Sequence, residues 1–169
     1  MRLTSVDPKS LTPAILGVFD TRYPLLTAGD RSGCNTMTIG WCQLGCLWRT
    51  PVCTVYVRPE RYTYEFMESH DYFTVSVLPA NLKETLMTCG TKSGRDLDKV
   101  RECGLTVAYG EGDAPYFEEA EWVLVCKKIY AQDFREDCVT DRETVMPCYG
   151  KDGGWHRAYT GKVVEAYHK

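Results

Sequence analysis

Two short stretches put positive charge and hydroxyl groups where helices are expected to begin. In Val57–Thr63, VRPERYT, Arg58 and Arg61 straddle Pro59-Glu60, and Tyr62 and Thr63 lead into TYEFMESH. The first amides of a helix lack intrahelical partners and carry the positive end of its dipole, so an anion binds there readily. Guanidinium forks match phosphate oxygens in pairs. Thr63 offers a hydroxyl, and Tyr62 a hydroxyl or a stacking face. In Gly90–Lys99, GTKSGRDLDK, Lys92, Ser93 and Arg95 surround Gly94 at a second expected helix start. Each stretch has a plainer alternative. Thr63 can be a helix cap with the arginines paired to Glu60 and Glu65, and Ser93 with Asp96 can be a capping box among solvated charges. Two such corners in a chain of formal net charge -3 are explained together by one phosphorylated ligand.

A third stretch, CNTMTIGWCQLGCLWRTPVC, interleaves Asn35, Thr36, Thr38 and Gly40 with Met37, Ile39 and Trp41, and continues into Cys42 and Gln43. Strands rich in small residues let a flat ligand approach the backbone, with Gly40 and Gly45 as the points of approach. The alternative is an ordinary buried hairpin anchored by a tryptophan. No catalytic triad or carboxylate pair accompanies these stretches. Of the three histidines, His70 follows the first helical segment, His168 lies next to the last residue, and His156 stands beside Trp155 ahead of a strand pattern. The nine cysteines contain no Cys-x-x-Cys, and Cys42 with Cys46 lacks zinc or iron–sulfur spacing. They read as reduced core thiols, and no metal site is expected.

The elements that must position these residues are mostly strands. AILGVFDT, YPLLTAGD, CNTMTIGW, VCTVYV, YFTVSVL, EWVLVCKKIYAQDF and RAYTGKVVEAYH carry β-branched and alternating patterns. In YFTVSVL the apolar Phe73, Val75 and Val77 alternate with Thr74 and Ser76, the pattern of a half-buried strand. Three short helices are expected: TYEFMESH, NLKETLMTCG from Asn81 to a stop at Gly90, and SGRDLDKVRECG from Ser93 to a stop at Gly104. Many strands with short helices on their connections indicate a mainly β, antiparallel barrel or sandwich. No Gly-x-Gly-x-x-Gly follows a strand, which argues against a dinucleotide-binding parallel sheet.

A length of 169 residues suits one domain, taken as 1–169, and 44% apolar residues argues against disorder. The mildly acidic balance excludes nucleic-acid binding through bulk charge. No segment has the length and apolarity of a membrane span, and the N-terminal stretch lacks a signal-peptide pattern, so the expectation is a cytoplasmic protein.

Taken in order, NTMTIGW (Asn35–Trp41), RTPV (Arg49–Val52), VRPERYT, FTVSVL (Phe73–Leu78), GTKSGRDLDK and HRAYTGKV (His156–Val163) resemble the flavin reductase-like FMN-binding split-barrel family, and most closely its flavoredoxin branch. The resemblance spans essentially the whole chain. It implies a six-stranded antiparallel split barrel, a homodimer, and FMN near the subunit interface. It implies that Asn35–Gln43 meets the isoalloxazine ring, that Arg58, Tyr62 and Thr63 hold the phosphate, and that Lys92, Ser93 and Gly94 line the same pocket. His156 takes the position beside the flavin face where a nicotinamide docks. The chain departs from the family at Gly40, where a hydroxyl residue is common, at Cys42, where an aromatic is, and at Trp155, which replaces an acid and is a candidate to cover the flavin. The expected activity is an FMN-dependent oxidoreductase taking electrons from NAD(P)H to an unspecified acceptor. The alternatives are an FMN electron carrier reduced by a redox protein partner, as in flavoredoxin, and a flavin- or phosphate-binding module without turnover.

Overall fold

The computed structural model describes residues 4–6, 22–149 and 154–169. In chain order these form β1 (Thr4–Val6), β2 (Leu25–Asp30), β3 (Gly33–Thr38), β4 (Cys42–Leu47), β5 (Thr50–Val57), α1 (Tyr62–Ser69) and β6 (Tyr72–Val77). Then follow α2 (Lys83–Thr91), α3 (Lys99–Glu102), β7 (Val107–Tyr109), β8 (Pro115–Phe117), β9 (Trp122–Asp133), α4 (Arg142–Val145) and β10 (Arg157–His168). The strand expected over 14–21 lies outside the described residues.

One antiparallel sheet runs in the order β3-β2-β6-β9-β10-β5-β4, with β1 also paired to β10, so it holds eight strands rather than the six expected. The strand class is as expected. A separate two-stranded ribbon joins β7 and β8. The long β10 is shared along one edge. Its first half pairs with β5, Arg157 opposite Val57, and its end pairs with β1, Ala166 opposite Val6. Its other edge pairs with β9 and shifts register between Thr160 and Gly161. A side chain at Gly161 would stand 2.6 Å from the Phe73 ring, so glycine allows that ring to lie against the bulge.

Period-two alternation divides the core between the two faces of the sheet. Leu26, Phe73, Val75, Leu124, Val55 and Tyr159 lie in one cluster, which Met67 of α1 closes. Leu25, Val123, Val125 and Phe117 lie in a second cluster with Cys89 of α2. Full burial of a residue the size of Phe73 stabilises by about 1.5–3 kcal/mol, so both faces contribute. The expectation of a half-buried β6 is therefore corrected: Thr74 and Ser76 are buried as well. The Thr74 hydroxyl donates to the Pro115 carbonyl at 2.6 Å, which is how a polar residue is accommodated beneath β8.

Two helix expectations also change. The predicted helix from Ser93 shrinks to α3, capped by Asp98, whose carboxylate accepts from the Arg101 amide at 3.1 Å. The preceding residues instead fold as a turn in which the Ser93 carbonyl accepts from the Asp96 amide at 3.2 Å. In α2 the N-cap is Leu82 rather than Asn81, and the helix runs one residue past Gly90. Gly104, at φ +61°, ends α3 as expected. No helix among the described residues is long and apolar enough to cross a membrane.

Candidate functional site

The two anion-ready corners meet. The start of α1 and the loop after α2 come together against β3, and a cleft runs between them in two lobes that share Met37 and Arg61. The first lobe, about 190 Å³, is lined by Asn35, Tyr62, Thr63, Lys92, Ser93 and Gly94, all anticipated, and by Glu60, Thr91 and Lys99. The second, about 280 Å³, is lined by the anticipated Thr38, Gly40, Trp41, Arg58 and His156, and by Ile39, Tyr56 and Gly90.

Thr63 does not cap α1. Arg61 is the N-cap residue, without a side-chain cap bond, and Thr63 lies one position inside the first turn. Its buried hydroxyl accepts from Asn35 Nδ2 at 2.7 Å and so ties α1 to β3. Gly94 passes so close that an added Cβ would stand 1.9 Å from Asn35 Oδ1 and 2.9 Å from the Tyr62 ring. Only glycine allows so close an approach here, whereas a Cβ at Gly45, expected to be such a point, would meet nothing within 4 Å.

The C-terminus of α2 explains two cations of this cleft. The last carbonyls of a helix have no intrahelical donor and form the negative end of its dipole. Arg61 Nη2 donates to the Gly90 carbonyl at 2.8 Å, and Lys99 Nζ donates to the Cys89 carbonyl at 2.8 Å. Lys99 Nζ also donates to the Thr36 carbonyl of β3 at 2.9 Å. Lys99 is only 5% exposed, and burial pulls its pKa below the usual lysine value. Sequence reading missed its role: Lys99 sits inside a quoted stretch, but nothing local distinguishes it from a solvated helix lysine. Arg95 turns outward, lies 4.9 Å from the Tyr62 ring centre, and pairs with Glu65.

Arg58 belongs to the other lobe. It donates to the Cys148 carbonyl at 2.9 Å, lies 5.5 Å from the Tyr149 ring centre, and sits 3.9 Å from Glu60. His156 stands beside it. Its ring centre is 4.7 Å from that of Trp41, and Nδ1 is 3.0 Å from the Tyr149 hydroxyl. Burial, reinforced by the nearby Arg58 charge, pulls the His156 pKa down to about 4, so the ring is neutral at pH 7. Tyr149 has no sequence signal, because it approaches His156 only through the excursion between β9 and β10.

Four anticipated residues stand apart from the cleft. Thr36 is fully buried, and its hydroxyl donates to the Leu26 carbonyl at 3.2 Å and contacts Thr27, so only its carbonyl faces Lys99. Cys42 and Gln43 are carried away by β4, which pairs Cys42 with Val55 and Gln43 with Thr54. Cys42 Sγ then lies 3.4 Å from Cys53 Sγ, and Gln43 is exposed. Trp155 lines a neighbouring chamber, its ring centre 4.1 Å from that of Tyr149. Among the described residues no group of three or more His, Cys, Asp or Glu side chains could hold a metal ion.

The fold is a mainly β, antiparallel one whose cleft is lined by cations, hydroxyls and aromatic rings. Residues 16–169 match the flavin reductase like domain, and the chain belongs to that family. Its solved structural neighbours include flavoredoxin from Methanosarcina acetivorans, with 23% identity, a TM-score of 0.70, and coverage of 88% of this chain and 68% of that one. Flavoredoxin of Desulfovibrio vulgaris (Miyazaki F) is also 23% identical, with a TM-score of 0.67 over 88% of this chain and 70% of that one. The FMN-binding protein from Thermus thermophilus is 18% identical, with a TM-score of 0.70 over 99% of this chain and 80% of that one. At these identities the likeness concerns the fold. A comparison with curated proteins found no match.

Proposed function

We propose that the protein is an FMN-dependent oxidoreductase that takes electrons from a reduced nicotinamide and delivers them to a small-molecule acceptor. The observation that carries this reading is the two-lobed cleft, with cations and hydroxyls in one lobe and an aromatic, backbone-lined wall in the other. Its donor set fits FMN. Lys92, Ser93, Arg61 and the free amides at the start of α1 suit the phosphate. The backbone of β3 and the turn at Gly40 suit the flat ring system. Bound FMN would supply the two-electron chemistry.

The chain's own residues then bind, orient and exclude water. Thr63 fixes the Asn35 amide, and Asn35 with Gly94 sets the width of the first lobe. Arg58 and Arg61 place positive charge along the wall, which stabilises negative charge developing on a reduced ring. Neutral His156 shares a hydrogen bond between its Nδ1 and the Tyr149 hydroxyl at 3.0 Å, which orients the ring. In that state it positions a neutral nicotinamide without repelling a cation. The function needs no general acid or base from the protein. A homodimer is part of the proposal, by family resemblance.

One observation favours a second reading, an FMN carrier reduced by a protein partner. Trp41 and His156 crowd the second lobe with Tyr149 behind them, their ring centres 4.7–6.3 Å apart, where a nicotinamide would have to enter. The test is a visible spectrum of the protein titrated with FMN and then mixed with NADH or NADPH. A perturbed flavin spectrum that bleaches with one nicotinamide supports the oxidoreductase. A bound flavin that bleaches only with reduced ferredoxin supports the carrier. No perturbation of the FMN spectrum would overturn both.

A further inference from the structure

Beside the second lobe lies a larger chamber of about 540 Å³ that the flavin reading does not use. It is framed by the end of β9, α4 and the residues leading into β10. Its walls are Trp41, Phe134, Val139, Val145, Tyr149 and Trp155. A concave, mainly apolar space of this size suits a small organic molecule. The chamber and the second lobe share one wall. Trp41 lines both, and the Tyr149 ring that lines the chamber is bonded through its hydroxyl to His156 of the lobe.

The charged side chains that line the chamber already have partners. Asp133 pairs with Arg157 at 2.9 Å, and Arg135 Nε donates to Asp137 at 2.9 Å. Asp141 accepts from the Thr144 amide at 3.2 Å and from its hydroxyl at 2.7 Å. An anionic ligand would therefore be desolvated without gaining a free cationic partner, which is unfavourable. Gln132 and Thr140 remain as neutral polar groups for orientation.

We propose that this chamber is the acceptor site, and that it selects a neutral, planar organic molecule of one or two rings. The inference rests on the flavin reading for the acceptor's role but not for its binding. As acceptor, the molecule would take up two electrons and two protons from the fully reduced flavin, which would have gained them as the nicotinamide's hydride and one solvent proton. The aromatic wall provides stacking faces, and the paired charges exclude anions.

The test uses methyl 4-nitrobenzoate and its anionic counterpart 4-nitrobenzoate on the full chain, with and without FMN. Equilibrium dialysis reads binding of these probes, quenching of flavin fluorescence reads FMN, and sedimentation reads assembly. Val139→Trp and Val145→Trp each fill the chamber from a different segment, and neither position lines the cleft. The expected result is that the ester binds the flavin-free protein and the anion binds at least tenfold more weakly. Each variant then loses at least tenfold in ester affinity while its FMN affinity stays within twofold. Equal binding of ester and anion, or ester binding untouched by both variants, would overturn the proposal. So would a change of oligomeric state in both variants, which would make the chamber an interface between copies. Chamber-dependent ester binding in a protein that fails to bind FMN would sustain the site and refute the flavin reading alone.

Discussion

Replacing Lys99 with methionine separates the structural and ligand-binding duties of the cleft. The lysine nitrogen bridges the Cys89 carbonyl at the end of α2 and the Thr36 carbonyl of β3, at 2.8 and 2.9 Å. Methionine keeps the apolar stem and removes both donors. A buried carbonyl left without a partner costs about 1–3 kcal/mol. Relief of the buried charge recovers part of that. A net loss of about 2 kcal/mol lowers the melting temperature of a chain this size by roughly 4–8 °C. The assay is thermal unfolding of the ligand-free protein. The ligand arm compares FMN with riboflavin, which lacks the phosphate. Losing one charge-assisted contribution of about 1.4 kcal/mol weakens FMN on the order of tenfold and leaves riboflavin unchanged. An unaltered melting temperature would refute the bridging argument. Equal weakening of both flavins would refute the placement of the phosphate in the first lobe.

Further outcomes follow from the same geometry. Gly94→Ala puts a methyl 1.9 Å from Asn35 Oδ1, and because Thr63 pins that amide the collision is relieved by closing the lobe; FMN affinity should fall at least tenfold in a flavin titration, with little change in the circular dichroism spectrum. His156, held down to about pH 4, should show no imidazole titration between pH 6 and 8 by NMR. The unfolded chain takes up a proton as pH falls through about 6.5, so the stability from this neutral ring is whole above that pH and is lost towards pH 4; a titration near 6.5 in the folded protein would contradict the burial argument. The contact with Cys53, together with burial, pushes the Cys42 thiol far above its ordinary value. Iodoacetamide at pH 8 should therefore modify exposed Cys46, Cys138 and Cys148 before Cys42 or Cys53, as read by peptide mapping.

What the sequence by itself determined is local in origin. Alternating β-branched residues marked β3, β5, β6, β9 and β10, because a pleated strand sends successive side chains to opposite faces. Gly104 marked a helix stop, because a left-handed backbone there favours glycine. The charged corners at Arg58–Thr63 and Lys92–Gly94 were visible because a helix start needs donors and acceptors near it in sequence. Tertiary structure decided how those pieces are used. Thr63, legible as a cap, became the anchor for Asn35 because β3 lies against α1. Lys99, legible as a surface charge, became a buried bridge because the end of α2 presents unpaired carbonyls to it. Tyr149 meets His156, and Cys42 leaves the cleft, through strand pairing and an excursion of the chain that no local pattern encodes. Hydrogen-bond partners distant in sequence are chosen by the packing of whole elements, and only the folded chain specifies that packing.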